Sequence, residues 1–330
     1  MVESTILSKK MIKPSSPTPS SLSRHNLSFI DQIASSAFSP IVVFYSKPTN
    51  NTRQILENSL SKVLSSYYPF AGRIKDDYEY VECNDTAISG CLSHKIADGY
   101  SLLKLLKDWA ATARLELDFK PSTQFDVHSF SSSSLDRLKD IVAMNSQVQN
   151  PIRVEVATAL LHKCGSAVSI ANLGVFQPSL LCHLMNFLPP LPQNTIGNAC
   201  YFFGSTAAKE NETQSQLRKA KQYIQDKSKD PNQLASHLLE KFKERANKSE
   251  KNKFDFYMCS RLCNLGVYKI DFGWGEPIRV TLARNPMKSN FIFLDSPNGD
   301  GINVLITLTE ADMLIFQSNK ELLEFASPVV

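Results

Sequence analysis

Ser93-His94-Lys95-Ile96-Ala97-Asp98-Gly99 sets an imidazole four residues before a carboxylate, where one kind of periodicity gives way to another. Upstream, Thr86 to Leu92 is small and apolar, the pattern of a buried strand. Downstream, Tyr100, Leu102, Leu103, Leu105, Leu106 and Trp109 recur at helical spacing. The spacing predicts that His94 ends the strand and that Asp98 opens the helix, where a carboxylate suits the free amides and the positive end of the dipole. An earlier strand and helix, Ile41 to Tyr45 and Thr52 to Ser65, repeat the order, so an α/β fold is expected.

An imidazole with an ordinary pKa near ~6.5 can take the proton of a hydroxyl at neutral pH and return it to a departing thiolate, as acyl transfer requires. Spacing alone also fits a plainer reading, a helix-capping Asp98 beside a half-buried structural His94. A second island narrows the choice. Asp271-Phe272-Gly273-Trp274-Gly275-Glu276-Pro277 uses one of two tryptophans and two of twelve glycines. By itself it reads as a tight turn with two large buried rings.

Between the islands, residues Leu135 to Val142 and Val154 to Cys164 are expected to be helical, and Lys120 to Ser134 a crossover. Asp230-Pro231-Asn232-Gln233 predicts a helix from Pro231 to about Ala246 with a solvated charged face. Ile270 to Leu282, Phe291 to Asp295 and Ile302 to Leu308 read as strands. The resulting division is an N-terminal domain 1–116 carrying His94, a linker 117–134, and a C-terminal domain 135–330 carrying Asp271–Gly275.

Bulk properties remove several function classes. A net charge of +4, from 36 basic and 32 acidic residues, is too balanced for a nucleic-acid footprint. Seven cysteines without CxxC pairs give no zinc or redox pattern, and reduced thiols in the cytosol fit best. Met1 to Ser21 lacks the apolar core of a secretory signal, and no stretch has the ~20 apolar residues of a membrane helix. Cys91 and His94 on one strand would point to opposite faces, so they make no nucleophile pair. No G-x-S-x-G elbow and no Gly-rich phosphate loop occur.

Together the two islands resemble those of the plant BAHD acyltransferases, which carry His-x-x-x-Asp-Gly mid-chain and Asp-Phe-Gly-Trp-Gly near the C-terminus. Tyr67-Tyr68-Pro69-Phe70-Ala71-Gly72-Arg73, Val154 to Leu161, Pro189-Pro190-Leu191-Pro192, Gly197-Asn198 and Glu321 to Ala326 extend the likeness along most of the chain. The flavour is that of the alkaloid O-acetyltransferase branch. The resemblance implies a two-domain CoA-dependent acyltransferase fold, with mixed sheets flanked by helices and a channel between the domains. It implies a monomer that takes acetyl-CoA as co-substrate and an alkaloid or related alcohol as acceptor, with no permanent cofactor, metal, nucleic acid or membrane partner.

The resemblance makes His94 the general base and gives Asp98 structural support of its loop. Gly197 and Asn198 would lie near the CoA channel, and Asp271, Phe272, Gly273, Trp274 and Gly275 would be structural. The family's oxyanion donors, Thr-Ser-Trp, fall on Ser260-Arg261-Leu262, leaving Ser260 as the candidate hydroxyl.

Departures matter as well. Members are about a hundred residues longer, and the main deficit falls between Arg73 and Thr86, so a strand beside the histidine strand should be missing. An arginine that partners the motif carboxylate also has no counterpart near Met185 to Pro189. Asn303-Val304-Leu305 replaces a common Glu-Ala-Trp. Two other readings therefore stand: a shortened, catalytically impaired relative that binds CoA or a metabolite, and an enzyme that uses larger acyl donors.

Overall fold

The computed structural model describes residues 10–34, 38–39, 41–46, 51–75, 80–82, 92–114, 129–145, 148–186, 195–198, 200–207, 213–227, 230, 233, 236–237, 240, 255–282 and 289–328. The chain forms two compact units. The first joins Met1–Phe125 to Leu188–Ala199 and Leu265–Pro286; the second holds Asp126–Phe187, Cys200–Asn264 and Met287–Val330. Two segments expected in a C-terminal domain, including Asp271–Gly275, thus group with the unit that carries His94. The reason is pairing: Arg279–Leu282 is an antiparallel partner of Ile41–Phe44.

In the first unit the strands are β1 (Arg24–Asn26), β2 (Phe38–Ser39), β3 (Ile41–Phe44), β4 (Arg73–Lys75), β5 (Tyr80–Glu82), β6 (Leu92–Ser93) and β11 (Arg279–Leu282). They make three small sheets, β1-β5-β4, β11-β3 and β2-β6. A short helix α1 (Phe29–Ile33) precedes the two longer ones, α2 (Thr52–Ser66) and α3 (Gly99–Arg114). Ile55, Val63 and Leu64 form the buried stripe of α2, and Leu103, Leu105, Ala110 and Ala113 that of α3. The two helices pack together. The Trp109 indole N–H crosses between them to the Leu56 carbonyl and the Ser59 hydroxyl, at 3.2 and 3.0 Å.

The second unit is built on one six-stranded mixed sheet. Its strands are β7 (Ser129–Phe130), β8 (Ser179–Asn186), β9 (Cys200–Ala207), β10 (Asp255–Arg261), β12 (Asn290–Asp295) and β13 (Ile302–Thr307), in the order β7-β13-β12-β10-β8-β9. β8, β10 and β12 run parallel at its centre, and the flanking pairs are antiparallel. Helices α4 (Ser132–Asn145), α5 (Arg153–Leu173), α6 (Thr213–Lys227), α7 (Glu310–Gln317) and α8 (Lys320–Phe325) complete it.

α5 is apolar nearly all round because it touches β10 and each of the other four helices. It stops at Gly174, whose φ of +72° suits the left-handed cap. The core joins Phe130, Leu161, Leu181, Cys259, Phe291, Phe293 and Phe316, each contributing on the order of 1.5–3 kcal/mol by burial.

Most expected elements are present, several with longer ends, such as α5 to Leu173. The strand expected from Ile270 is different: residues 271–278 form a turn, and regular pairing begins only at Arg279. Most of the expected 86–92 strand, residues 117–128 of the expected linker and Pro189–Pro192 lie outside the described residues, whereas 129–130 form β7 and 132–134 begin α4. Of the expected 231–246 helix, 233, 236–237 and 240 are described and helical, and the Gln233 amide donates to Asp230 Oδ1 at 3.4 Å.

Candidate active site

The described residues of β6 pair antiparallel with β2, Ser93 against Phe38 and Leu92 against Ser39. A turn follows, closed by the Ile96 amide on the Ser93 carbonyl at 3.1 Å. His94 stands on this turn, half-buried. Its Nδ1 is buried and has no hydrogen-bond partner.

Asp98 is 3% exposed and caps α3: its Oδ1 accepts from the Ser101 amide at 2.8 Å, and its carbonyl accepts from Leu102 at 3.0 Å. The arrangement is therefore an imidazole on a turn whose helix start Asp98 caps.

Gly197 and Asn198 pack directly on this turn. The Gly197 carbonyl accepts from the Asp98 amide at 3.3 Å and from the Ser101 hydroxyl at 2.9 Å. The Gly197 amide donates back to Ser101 Oγ at 3.1 Å. Asn198 donates through Nδ2 to the His94 carbonyl at 2.7 Å and to Asp31 Oδ1 at 2.9 Å. Asp31 and Ser101 escaped the sequence reading. Asp31 had a signal, since Ser28-x-x-Asp31 is a capping-box pattern, and Ser28 does cap α1.

Lys95 points the other way and donates its ammonium to the Gln32 carbonyl of α1 at 2.6 Å. Burial lowers its pKa.

Asp271 to Gly275 fold into a turn around one carboxylate. Asp271 Oδ1 accepts from the Gly273 and Gly275 amides at 2.7 and 3.0 Å, with both glycines at positive φ, +104° and +105°. Phe272 and Trp274 stack at 5.6 Å, and Trp109 meets Phe272 edge-on at 5.1 Å. Tyr45 sits edge-on to both rings of the motif and donates to the Ile270 carbonyl at 2.6 Å. Arg114, at the end of α3, donates to the Asp271 carbonyl.

Ser260 belongs to the second unit. It lies on β10 opposite Ile292, half-buried, on the face away from core residues Tyr257 and Cys259. Burial holds His162 and His183 at about 4, with His162 Nε2 hydrogen-bonded to Ser179 Oγ at 2.7 Å. No cluster of metal-ligating side chains occurs among the described residues. No helix among them is long and apolar enough to cross a membrane.

A family model described as "Transferase family" matches residues 2–89, 79–131 and 120–323. The chain belongs to this family, the BAHD acyltransferases. It is 44% identical to acylsugar acyltransferase 3 of Solanum lycopersicum, covering 100% of the chain and 99% of that protein. It is 30% identical to deacetylvindoline O-acetyltransferase of Catharanthus roseus, covering 99% and 98%. A crystal structure of vinorine synthase superimposes with a TM-score of 0.78 at 24% identity, covering 98% of each chain, which establishes the two-domain fold.

This BAHD member is an acyltransferase. It is also short. The alignment with the tomato protein runs over 427 positions against 330 residues here, so internal segments of the relative have no counterpart.

Proposed function

We propose that the protein transfers an acyl group from acyl-CoA to an alcohol with His94 as general base. The observation that carries this reading is the half-buried imidazole on the β6–α3 turn, whose Nδ1 is buried without a partner. In the reaction a ring nitrogen takes the hydroxyl proton while the oxygen attacks the thioester carbonyl. The tetrahedral oxyanion collapses, the C–S bond breaks, and the CoA thiolate leaves with the proton held by the imidazolium. Ser260 is the proposed hydroxyl donor to the oxyanion. Gly197 and Asn198 act through the base loop and, in this reading, also border the bound CoA.

The acceptor is a hydroxyl of a plant specialised metabolite. An alkaloid alcohol with acetyl-CoA is one reading, supported by the 30% identity to deacetylvindoline O-acetyltransferase. A partly acylated sugar is the second, and the 44% identity to acylsugar acyltransferase 3 favours it. Cys164, Cys259 and Cys263 are free thiols, which supports a reducing, cytoplasmic setting, and a monomer is proposed.

CoA release from acetyl-CoA and from longer acyl-CoAs, with sucrose esters and alkaloid alcohols in parallel, tests the reading. The expected result is turnover that His94→Ala lowers by about 10²–10⁴-fold. Ligand-induced thermal stabilisation by CoA without turnover on any alcohol would instead identify a catalytically impaired relative.

A further inference from the structure

Asp31 lies far from His94 in sequence, yet it reaches that residue's backbone through one side chain. It is 6% exposed, and each of its carboxylate oxygens is saturated. Oδ2 accepts from the Ser28 amide at 3.0 Å and the Ser28 hydroxyl at 2.6 Å. Oδ1 accepts from the Asn198 amide at 2.8 Å and from Asn198 Nδ2 at 2.9 Å. The second hydrogen of Nδ2 goes to the His94 carbonyl at 2.7 Å. Both side-chain N–H bonds of Asn198 are therefore committed, one to a carboxylate and one to the peptide of the base.

The amide orientation follows from chemistry. Turning the side chain over would set its oxygen against two acceptors, so the nitrogen must face Asp31 and His94. Asn198 Oδ1 is left buried without a partner, which marks the site as one that uses the residue for its two donors. A carboxylate behind the amide polarises it and strengthens the bond to the carbonyl. Gly197, at φ +128°, makes the turn that brings Asn198 into place, and its carbonyl holds the Asp98 amide four residues beyond His94. Lys95 ties the same turn to the Gln32 carbonyl of α1.

We propose that Asp31 and Asn198 are positioning residues for His94: the Asp31 carboxylate orients the Asn198 amide, which fixes the peptide carrying the imidazole. The proposal rests on His94 as the base. A shift of the base by about 1 Å can cost on the order of 10²-fold in rate without weakening substrate binding.

The test compares Asn198→Ala, Asp31→Asn and Thr309→Ala in the full chain. Thr309 caps α7 in the second unit, so its loss destabilises without touching the loop. Two readouts are used: steady-state kinetics with acetyl-CoA and a sucrose ester, and the histidine ¹³Cε1–¹H spectrum, with the His94 signal assigned by its loss in His94→Gln.

Asn198→Ala should lower kcat about 10–100-fold and shift or broaden the His94 signal while those of His162 and His183 stay put. Asp31→Asn, at a residue outside those proposed to border the CoA, should lower kcat with KM for acetyl-CoA within about twofold. Thr309→Ala should lower the melting temperature and change neither readout. If Asn198→Ala fails to fold, Asp31→Asn, which keeps the side-chain shape and an acceptor for Ser28, serves with the same expectation. A folded variant with an unchanged His94 signal and wild-type kcat overturns the proposal. Retained turnover in His94→Ala would overturn the base assignment instead, whatever the Asn198 variants do. The spectroscopic arm reads the clamp even if the sucrose ester is not an acceptor.

Discussion

At the scale of single residues, environment sorts chemically identical side chains into different work. His162 and His183 are buried in the second unit, which lowers their pKa to about 4, whereas His94 is half-buried on a turn. Asp98 and Asp31 are both buried carboxylates near that turn, and each is engaged with helix N-terminal amides. Asp98 is engaged at the start of α3, where its carboxylate accepts from the Ser101 amide and suits the positive end of the dipole. Asparagine caps about as well as aspartate but carries less charge. Asp98→Asn is therefore expected to keep turnover within a few-fold and lower the melting temperature modestly, while Asp98→Ala loses about 1 kcal/mol of capping as well. Thermal melts with matched CoA-release assays check both, and a folded but inactive Asp98→Asn would show that the carboxylate takes part in proton transfer.

Among the elements, α3 connects the two sequence islands that the linear chain separates. Its N-terminus starts at Asp98, and its last turns bear Trp109 and Arg114, which hold Phe272 and the Asp271 carbonyl. At about 1.5 Å of rise per residue the two ends of this sixteen-residue helix lie roughly 24 Å apart, so the Asp271–Gly275 turn acts on the His94 turn only by seating α3. Trp274→Ala empties space under Phe272 and Tyr45, and a loss of about 3–5 kcal/mol is expected. Urea titration measures it, and a loss below 1 kcal/mol would mean that the stacked rings carry little of the packing. What the sequence disclosed follows the range of the interactions. α2, α5, β12 and β13 were legible because their apolar spacing is local. The turn at Asp271–Gly275 was legible from its two glycines and two rings, both glycines taking positive φ, but the hydrophobic pattern carried the following strand back to Ile270 although pairing begins only at Arg279. The role of Asn198 was hidden because its partners are 104 and 167 residues away.

For the whole molecule, the two units differ in how their backbone is held. The second unit has six strands in one sheet, with parallel β8, β10 and β12 at its centre and a core of phenylalanines against it. In the first, the described strands form sheets of three, two and two, and β6, which delivers His94, is joined to β2 by two residue pairs. Ser93, His94 and residues 41–43 are half-buried and Phe44 is exposed, whereas 290–294 are buried, and local opening free energy rises with the apolar surface that closing buries. The His94 turn should therefore open well below the free energy of global unfolding, even though side-chain bonds from Asn198 and Lys95 restrain it. Hydrogen exchange read by mass spectrometry is expected to show peptides over 38–44 and 92–98 exchanging at least tenfold faster than those over 179–186 and 290–295. The same experiment on Asn198→Ala should speed exchange at 92–98 and leave 290–295 unchanged. Equal protection of the two regions in the wild-type chain would overturn this expectation.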